Sequence, residues 1–216
     1  MLAIALMIGL TGAQALEEGR RIALGTTDDP GCNSCHGRLG EGNVEAGHPR
    51  LAGQSRFYLR KQLEDFASGE RPSKQMTPIA RRLSEEQRED VAAYYASLRE
   101  APYPPQPDGD PLRLQRGGAL SALGSPERGI SACATCHAGF GAGLPPSYPY
   151  LAGQLADYTE RQLRLWQQGM RRNDPLAVMA DIAKALTDEE IRALALYFAR
   201  VRLPSTAIND LTPAEP

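Results

Sequence analysis

Cys32-Asn33-Ser34-Cys35-His36 is the stretch that decides the fold, and Cys133-Ala134-Thr135-Cys136-His137 repeats its pattern 101 positions further on. Together the two stretches contain all four cysteines and two of the three histidines in the chain. Such use of cysteine and histidine indicates that both stretches serve the same chemistry, once in each half of the sequence.

Cys-x-x-Cys-His is the attachment motif of c-type haem. Two thiols on adjacent turns of chain can each bond a vinyl group of the porphyrin, and the histidine can then bind the iron. Zinc sites made from two such cysteine pairs usually separate them by about 15–20 residues. Neither zinc nor a disulfide framework gives a reason for a histidine directly after each pair, and a thioredoxin-like pair needs a strand–helix context. The motifs therefore predict two covalently attached haem c groups.

The segments that follow the two motifs also repeat. His48-Pro49-Arg50-Leu51-Ala52-Gly53-Gln54 returns as Tyr148-Pro149-Tyr150-Leu151-Ala152-Gly153-Gln154, and Leu83-Ser84-Glu85-Glu86 returns as Leu186-Thr187-Asp188-Glu189. Landmarks that keep the same order at shifts of 100 to 103 positions indicate a duplicated domain. Between the copies, the segment from Ala101 to Pro111 contains five prolines, which favour an extended, semi-rigid linker over a helix.

Each copy is predicted to be a small all-α domain. Ser84 and Thr187 start the last helix of each copy, because Gln87 and Glu190 complete capping boxes three residues on. No alternating strand pattern stands out. The helices predicted before them lie near 16–24 and 55–68 in the first copy, and near 114–122 and 155–168 in the second, with Gly69 and Gly169 as C-caps.

The sixth iron ligand decides whether each haem is closed to substrates. A methionine thioether opposite histidine raises the reduction potential and suits electron transfer. Met76 precedes the helix cap Ser84 by eight residues, and Met179 precedes Thr187 by the same number, whereas Met170 has no counterpart. The repeat therefore predicts His36 with Met76 on one iron and His137 with Met179 on the other.

Residues around the ligands are harder to assign. His48 is the rival sixth ligand in the first domain, but Tyr148 takes its place in the second, which favours a loop or surface role. The carbonyls of Pro49 and Pro149 are the predicted acceptors for the ring N–H of the two iron-binding histidines. The remaining candidates are Arg38, Arg50, Arg56 and Tyr58 for the haem propionates, and Trp166 for core packing.

The N-terminal residues are expected to direct export. The apolar run from Leu2 to Leu10 precedes Ala13-Gln14-Ala15, a small-x-small cleavage site, so residues 1–15 are predicted to be a signal peptide. The run is shorter than the roughly 20 apolar residues of a spanning helix; an uncleaved anchor is the alternative. The basic start of a signal peptide is missing, so we expect the natural start to lie a few residues upstream. The domains are then 16–106 and 107–216.

These motifs resemble those of the dihaem cytochrome c4 family. The similarity lies in both Cys-x-x-Cys-His motifs, both Leu-Ala-Gly-Gln segments and the segments that begin at Met76 and Met179, and it spans almost the whole mature chain. The resemblance implies two tandem class I cytochrome c domains that face each other. It also implies a periplasmic, sometimes membrane-associated, shuttle that feeds terminal oxidases.

Three classes of function remain open at this level. Two haem irons without an open coordination position favour a free electron carrier. Its partners would be a terminal oxidase, a quinol-oxidising complex or a flavoprotein. The cytochrome subunit of a flavin-dependent sulfide dehydrogenase is the alternative. A dihaem enzyme is less favoured, because a peroxidase needs an iron that opens and a cysteine-ligated thiosulfate enzyme needs a fifth cysteine. The net charge of −2 gives no reason to expect nucleic acid as a partner.

Overall fold

The computed structural model describes residues 12–106 and 108–203, and within them it is helical with no named strand. The first domain contains five helices in chain order. They are α1 (Gly12–Leu24), α2 (Asn33–His36), α3 (Arg56–Ser68), α4 (Met76–Arg82) and α5 (Glu85–Ser97).

The second domain repeats this order. Its helices are α6 (Pro111–Leu123), α7 (Cys133–His137), α8 (Ala156–Gln167), α9 (Val178–Ala185) and α10 (Asp188–Arg200), with three short 3₁₀ turns between them. The all-α prediction and the tandem arrangement are confirmed.

The predicted caps explain where several helices begin and end. Ser84 and Gln87 form a complete capping box at the start of α5, and Thr187 and Glu190 do the same for α10. Each box satisfies backbone N–H groups that the first helical turn leaves without partners. At the end of α3, Gly69 adopts the left-handed conformation with φ of 94°, which a glycine takes without steric cost.

The same close helix crossing holds each domain together. α1 packs on α5 and α6 packs on α10, and a glycine lies at each crossing. A Cβ atom on Gly19 would lie 2.1 Å from the carbonyl oxygen of Asp90, and one on Gly117 would lie 2.2 Å from that of Ala193. The missing side chains therefore let the backbones approach, and each domain closes around its own apolar cluster.

The two domains contact each other through the repeated Leu-Ala-Gly-Gln segments. Gln54 accepts a hydrogen bond from the backbone N–H of Tyr150 at 3.0 Å and donates one to its carbonyl. Gln154 makes the same pair of bonds with the backbone of Arg50, at 2.9 and 3.0 Å. Because each domain supplies one glutamine to the other, the interface has approximate two-fold symmetry.

The segment between the domains is packed rather than loose. Residues 98–106 and 108–110 are outside helices, and Tyr103 packs against the buried Tyr150 and Ala152 of the second domain. Arg50 of the first domain donates to the backbone carbonyl of Ala101 at 3.0 Å. These contacts fix the connection against both domains.

The predicted signal peptide falls mostly on residues 1–11, which lie outside the described residues. Residues 12–15 form the first turn of α1. In the described part of the chain, no helix combines the length and the apolar character needed to cross a membrane.

Candidate cofactor site

The histidine of each Cys-x-x-Cys-His motif is the last residue of a short helix. His36 ends α2 and His137 ends α7, and both side chains are buried. The Nδ1 atom of His36 lies 2.8 Å from the carbonyl oxygen of Pro49, and that of His137 lies 2.9 Å from the carbonyl oxygen of Pro149. The two predicted proline acceptors are confirmed. Since a carbonyl only accepts, Nδ1 carries the proton and Nε2 presents its lone pair.

Burial keeps both imidazoles neutral. Desolvation lowers the pKa of His36 to about 4, with the Pro49 carbonyl acting in the opposite direction. The pKa of His137 is lowered by the same cause and is opposed by the Pro149 carbonyl. A neutral imidazole with a fixed tautomer is the form that binds a transition metal.

The four cysteines, all of them described, are unpaired thiols. Cys35 is exposed, while the other three are partly buried. Burial raises the pKa of Cys133 to about 11 and also raises the pKa of Cys32. Each motif therefore offers two thiols that are free to form thioether bonds.

The two motifs open into one cavity of about 1440 Å³ that crosses the domain interface. Most of the eight predicted site residues line it, and Cys35 does not. The lining residues among them are Cys32, His36, Met76, Cys133, Cys136, His137 and Met179.

Both predicted methionines lie at the start of equivalent helices. Met76 is the first residue of α4 and Met179 the second residue of α9. A side chain accepts a hydrogen bond from each methionine N–H: Ser73 Oγ at 3.1 Å from Met76, and the Asp174 carboxylate from Met179. Met170 also reaches the cavity, but it lies outside a helix and is 54% exposed, whereas Met179 lies in α9 and is half-buried.

The cavity lining suits a large apolar ring. Leucine, isoleucine and valine side chains from α3, α4 and α5 line one half, and equivalent residues from α8, α9 and α10 line the other. They include Leu59, Leu63, Ile79, Val91, Leu163, Ile182, Leu194 and Phe198. Several buried polar atoms of lining residues also lack a protein partner, including His48 Nδ1 and Trp166 Nε1. This combination of thiols, neutral imidazoles, thioethers and apolar surface fits two haem groups.

His48 is a loop residue, as predicted, but it is half-buried rather than on the surface. Its ring lies 5.9 Å from the ring of His36. The ring of Tyr148 lies 6.0 Å from that of His137. The two domains therefore use different aromatic residues for the same packing position beside the buried histidine.

The four propionate candidates divide into two groups. Arg50 and Tyr58 line the cavity, whereas Arg38 and Arg56 do not, and Arg56 pairs with Glu89 at 3.0 Å. Trp166 packs against the core of the second domain, as predicted, but it also lines the cavity.

Arg71 and Arg171 are lining residues that the sequence reasoning missed. Both are buried. The signal was available, because each arginine follows the glycine at the end of the middle helix by two residues, at a repeat shift of 100.

Comparison with known proteins finds cytochromes in both halves of the chain. Residues 16–99 match the family model described as cytochrome c. Residues 129–198 match the model described as cytochrome c oxidase, cbb3-type, subunit III. The two matched segments together cover more than half of the sequence.

Individual relatives match along both domains. A thiosulfate dehydrogenase electron acceptor from Stutzerimonas stutzeri is 43% identical over 79% of this chain and 78% of its own length. A thiosulfate dehydrogenase, TsdBA, from Marichromatium purpuratum superposes with a TM-score of 0.80 and 37% identity over 87% of this chain, which corresponds to 40% of that longer chain. Reduced cytochrome c4 from Pseudomonas stutzeri superposes with a TM-score of 0.76 and 32% identity, covering 87% of this chain and 98% of its own.

The duplicated motifs, the shared cavity and these matches give one consistent identification. The chain belongs to the cytochrome c family as a dihaem, cytochrome c4-like electron-transfer protein with two covalently bound haem c groups.

Proposed function

We propose that this protein is a periplasmic electron carrier that accepts electrons from a thiosulfate dehydrogenase and passes them to a further redox protein. The observation that carries this proposal is the 43% identity to a relative named for that role. A second relative of the same name, from Thiomonas intermedia, is 39% identical over 81% of this chain. The matched part of the TsdBA chain supports the same pairing.

The ligand assignment supports a carrier. We propose that His36 and Met76 bind one iron and that His137 and Met179 bind the other, with thioether bonds from Cys32 and Cys35 and from Cys133 and Cys136. The cavity lining supports this set, because it contains the histidine and the methionine of each domain. Two protein ligands on each iron leave no open coordination position, so each haem would exchange single electrons without binding substrate.

Export also belongs to the proposal. Haem attachment to Cys-x-x-Cys-His and the apolar run before Ala13-Gln14-Ala15 support a periplasmic location. Peripheral membrane association and the domain boundary near residue 107 stay predictions. A terminal oxidase, a quinol-oxidising complex and a flavoprotein stay alternative partners, the last as part of a sulfide dehydrogenase.

Stopped-flow spectroscopy tests the proposed donor. The oxidised holoprotein is mixed with catalytic thiosulfate dehydrogenase and excess thiosulfate, and haem reduction is followed at the α band. We expect both haems to be reduced within seconds, and only when enzyme and thiosulfate are both present. Reduction no faster than in the mixture without enzyme would overturn the proposed donor, while leaving the identification as a dihaem carrier intact.

A further inference from the structure

One peptide group in the first domain takes part in two hydrogen bonds, one on each side. It is the peptide between Pro49 and Arg50. Its carbonyl oxygen, which belongs to Pro49, lies 2.8 Å from Nδ1 of the buried His36. Its N–H, which belongs to Arg50, donates to Gln154 Oε1 at 2.9 Å. This single peptide therefore joins a histidine of the first domain to a glutamine of the second.

The second domain contains the same arrangement in the opposite direction. The carbonyl oxygen of the peptide between Pro149 and Tyr150 lies 2.9 Å from His137 Nδ1, and the N–H of that peptide donates to Gln54 Oε1 at 3.0 Å. Two hydrogen-bonded relays thus cross the domain interface. The first relay starts at His36 and the second starts at His137, and each ends on a side chain of the other domain.

The two glutamines are held in one orientation. Gln154 Nε2 donates to the carbonyl of Arg50 at 3.0 Å, and Gln54 Nε2 donates to the carbonyl of Tyr150. Because the amide oxygen and the amide nitrogen each have a partner of the matching type, the side-chain amide cannot turn over without losing both bonds. Gln54 is 5% exposed and Gln154 is 6% exposed, so water does not compete for these contacts.

A peptide that donates through its N–H becomes a stronger acceptor at its carbonyl, because hydrogen bonds in a chain polarise one another. The effect is larger in a buried site, where the effective dielectric constant is low. Each glutamine therefore strengthens the bond between a histidine Nδ1–H and a proline carbonyl and fixes the direction of that carbonyl. A stronger acceptor at Nδ1 makes the other ring nitrogen, Nε2, a more basic metal ligand.

We propose that Gln154 is a positioning residue for His36 and that Gln54 is one for His137, so that each domain tunes the iron-binding histidine of the other. A more basic imidazole favours the ferric state, so each relay lowers the reduction potential of the haem at which it starts. This inference rests on the proposed binding of iron by the two histidines, and it holds whichever protein is the electron donor.

The crossed arrangement separates tuning from simple adhesion between the domains. Gln54 and Gln154 make equivalent bonds in the same interface, so replacing either one removes equivalent contacts. If the glutamines only held the domains together, both replacements would have the same effect on the two haems. In a relay, each replacement acts on the haem of the opposite domain, and the two variants are matched controls for each other.

Redox titration of the Gln154→Leu and Gln54→Leu holoproteins tests the relays, because leucine fills most of the space of glutamine and has no polar side-chain atom. We expect Gln154→Leu to raise the potential of the first-domain haem and Gln54→Leu to raise that of the second-domain haem. Each rise should be a roughly threefold change in the redox equilibrium, which is about 28 mV at ~59 mV per tenfold for a one-electron couple. The haem of the mutated domain should keep its potential.

NMR of protein labelled with nitrogen-15 at histidine identifies the haem that responds. The chain contains three histidines, so few spectra are needed to assign the Nδ1–H signals of His36 and His137 in the reduced protein. In each leucine variant, the Nδ1–H signal of the opposite domain should move to lower frequency as its hydrogen bond weakens. Gln154→Asn and Gln54→Asn keep the test valid if the leucine variants load haem poorly, because the shorter side chain stays polar but withdraws from the peptide. They should show the same crossed pattern.

Three results would overturn the proposal: equal shifts of both potentials in each variant, a shift confined to the haem of the mutated domain, or unchanged potentials. The underlying iron ligation is tested separately in the wild-type protein. Absence of the haem ring-current shift from the signals of His36 and His137 there would contradict the ligation itself. Ring-current-shifted signals that do not respond to either glutamine would contradict the relays alone.

Discussion

The two domains share the same helix arrangement and differ in the side chains that line the cavity. Both end a short helix with a buried histidine that bonds to a proline carbonyl, and both place the methionine proposed as iron ligand in the first turn of a later helix. Yet the repeat positions that hold Leu59 and Phe66 in the first domain hold Thr159 and Trp166 in the second. The shared features build the haem sites, and the differences give each haem its own surroundings.

Removing the methionines would have the largest effect. Met76→Leu and Met179→Leu should each lower the potential of one haem, on the order of 0.1 V or more, because axial ligands tune haem potentials over about 0.8 V. Each variant should also lose half of the weak near-infrared sulfur-to-iron band. Redox titration with near-infrared absorption measures both effects.

Met170→Leu is the matched control for this pair, since Met170 also lines the cavity of the second domain. Its variant should keep both potentials and the full near-infrared band. Loss of the band in Met170→Leu, with the band retained in Met179→Leu, would move the sixth ligand to the other methionine.

The symmetry of the interface predicts equal effects from its two glutamines. Gln54→Ala and Gln154→Ala each leave two buried backbone groups of the opposite domain without a partner. Each should reduce the free energy of unfolding by about 2–4 kcal/mol. Urea unfolding followed by circular dichroism measures the loss, with the exposed Gln115→Ala as a control that should change little. Strongly unequal losses would show that the two halves of the interface contribute unequally to the free energy of unfolding.

The capping boxes differ in charge, and this predicts a small difference in acid sensitivity. A hydrogen bond from Arg128 is the main reason that the pKa of Glu190 is lowered to about 2, whereas the equivalent Gln87 is neutral. A lowered carboxyl pKa stabilises the fold above the unfolded value near 4.5 and loses that contribution as the pH falls toward 2.

Glu190→Gln should therefore destabilise the protein by about 0.5–1 kcal/mol at pH 7, as expected for a partly exposed pair. The gap from wild type should narrow at pH 3, as measured by urea unfolding at both values. An equal gap at the two pH values would assign the effect to the neutral capping geometry rather than to the charge.

Much of this structure was predictable because local patterns determine it. The capping residues Ser84 and Thr187 and the terminating Gly69 fixed helix ends through bonds to nearby backbone. The proline acceptors followed from the need of a ligating histidine for a fixed tautomer. The repeat aligns Met76 with Met179, because each precedes the cap of the last helix by eight residues.

The interface was less accessible from sequence. Arg71 and Arg171 repeat at a shift of 100, but a repeat does not say that two equivalent residues face each other. Only the packing of α3 and α8 residues across the interface shows that each arginine reaches the glutamine of the other domain. The predicted core packing of Trp166 is confirmed. Its indole N–H has no hydrogen-bond partner and belongs to a residue that lines the cavity, which the sequence pattern does not reveal.

The optical spectrum of the purified holoprotein tests the central claim most directly. A pyridine haemochrome assay counts the haems, and spectra of the oxidised and the reduced protein, the latter with and without carbon monoxide, report whether each iron is closed. Two c-type haems per chain, both low-spin and neither binding carbon monoxide readily, are the predicted result. A high-spin signal or ready carbon monoxide binding would reveal an open iron and contradict the proposal of a carrier with two histidine–methionine sites.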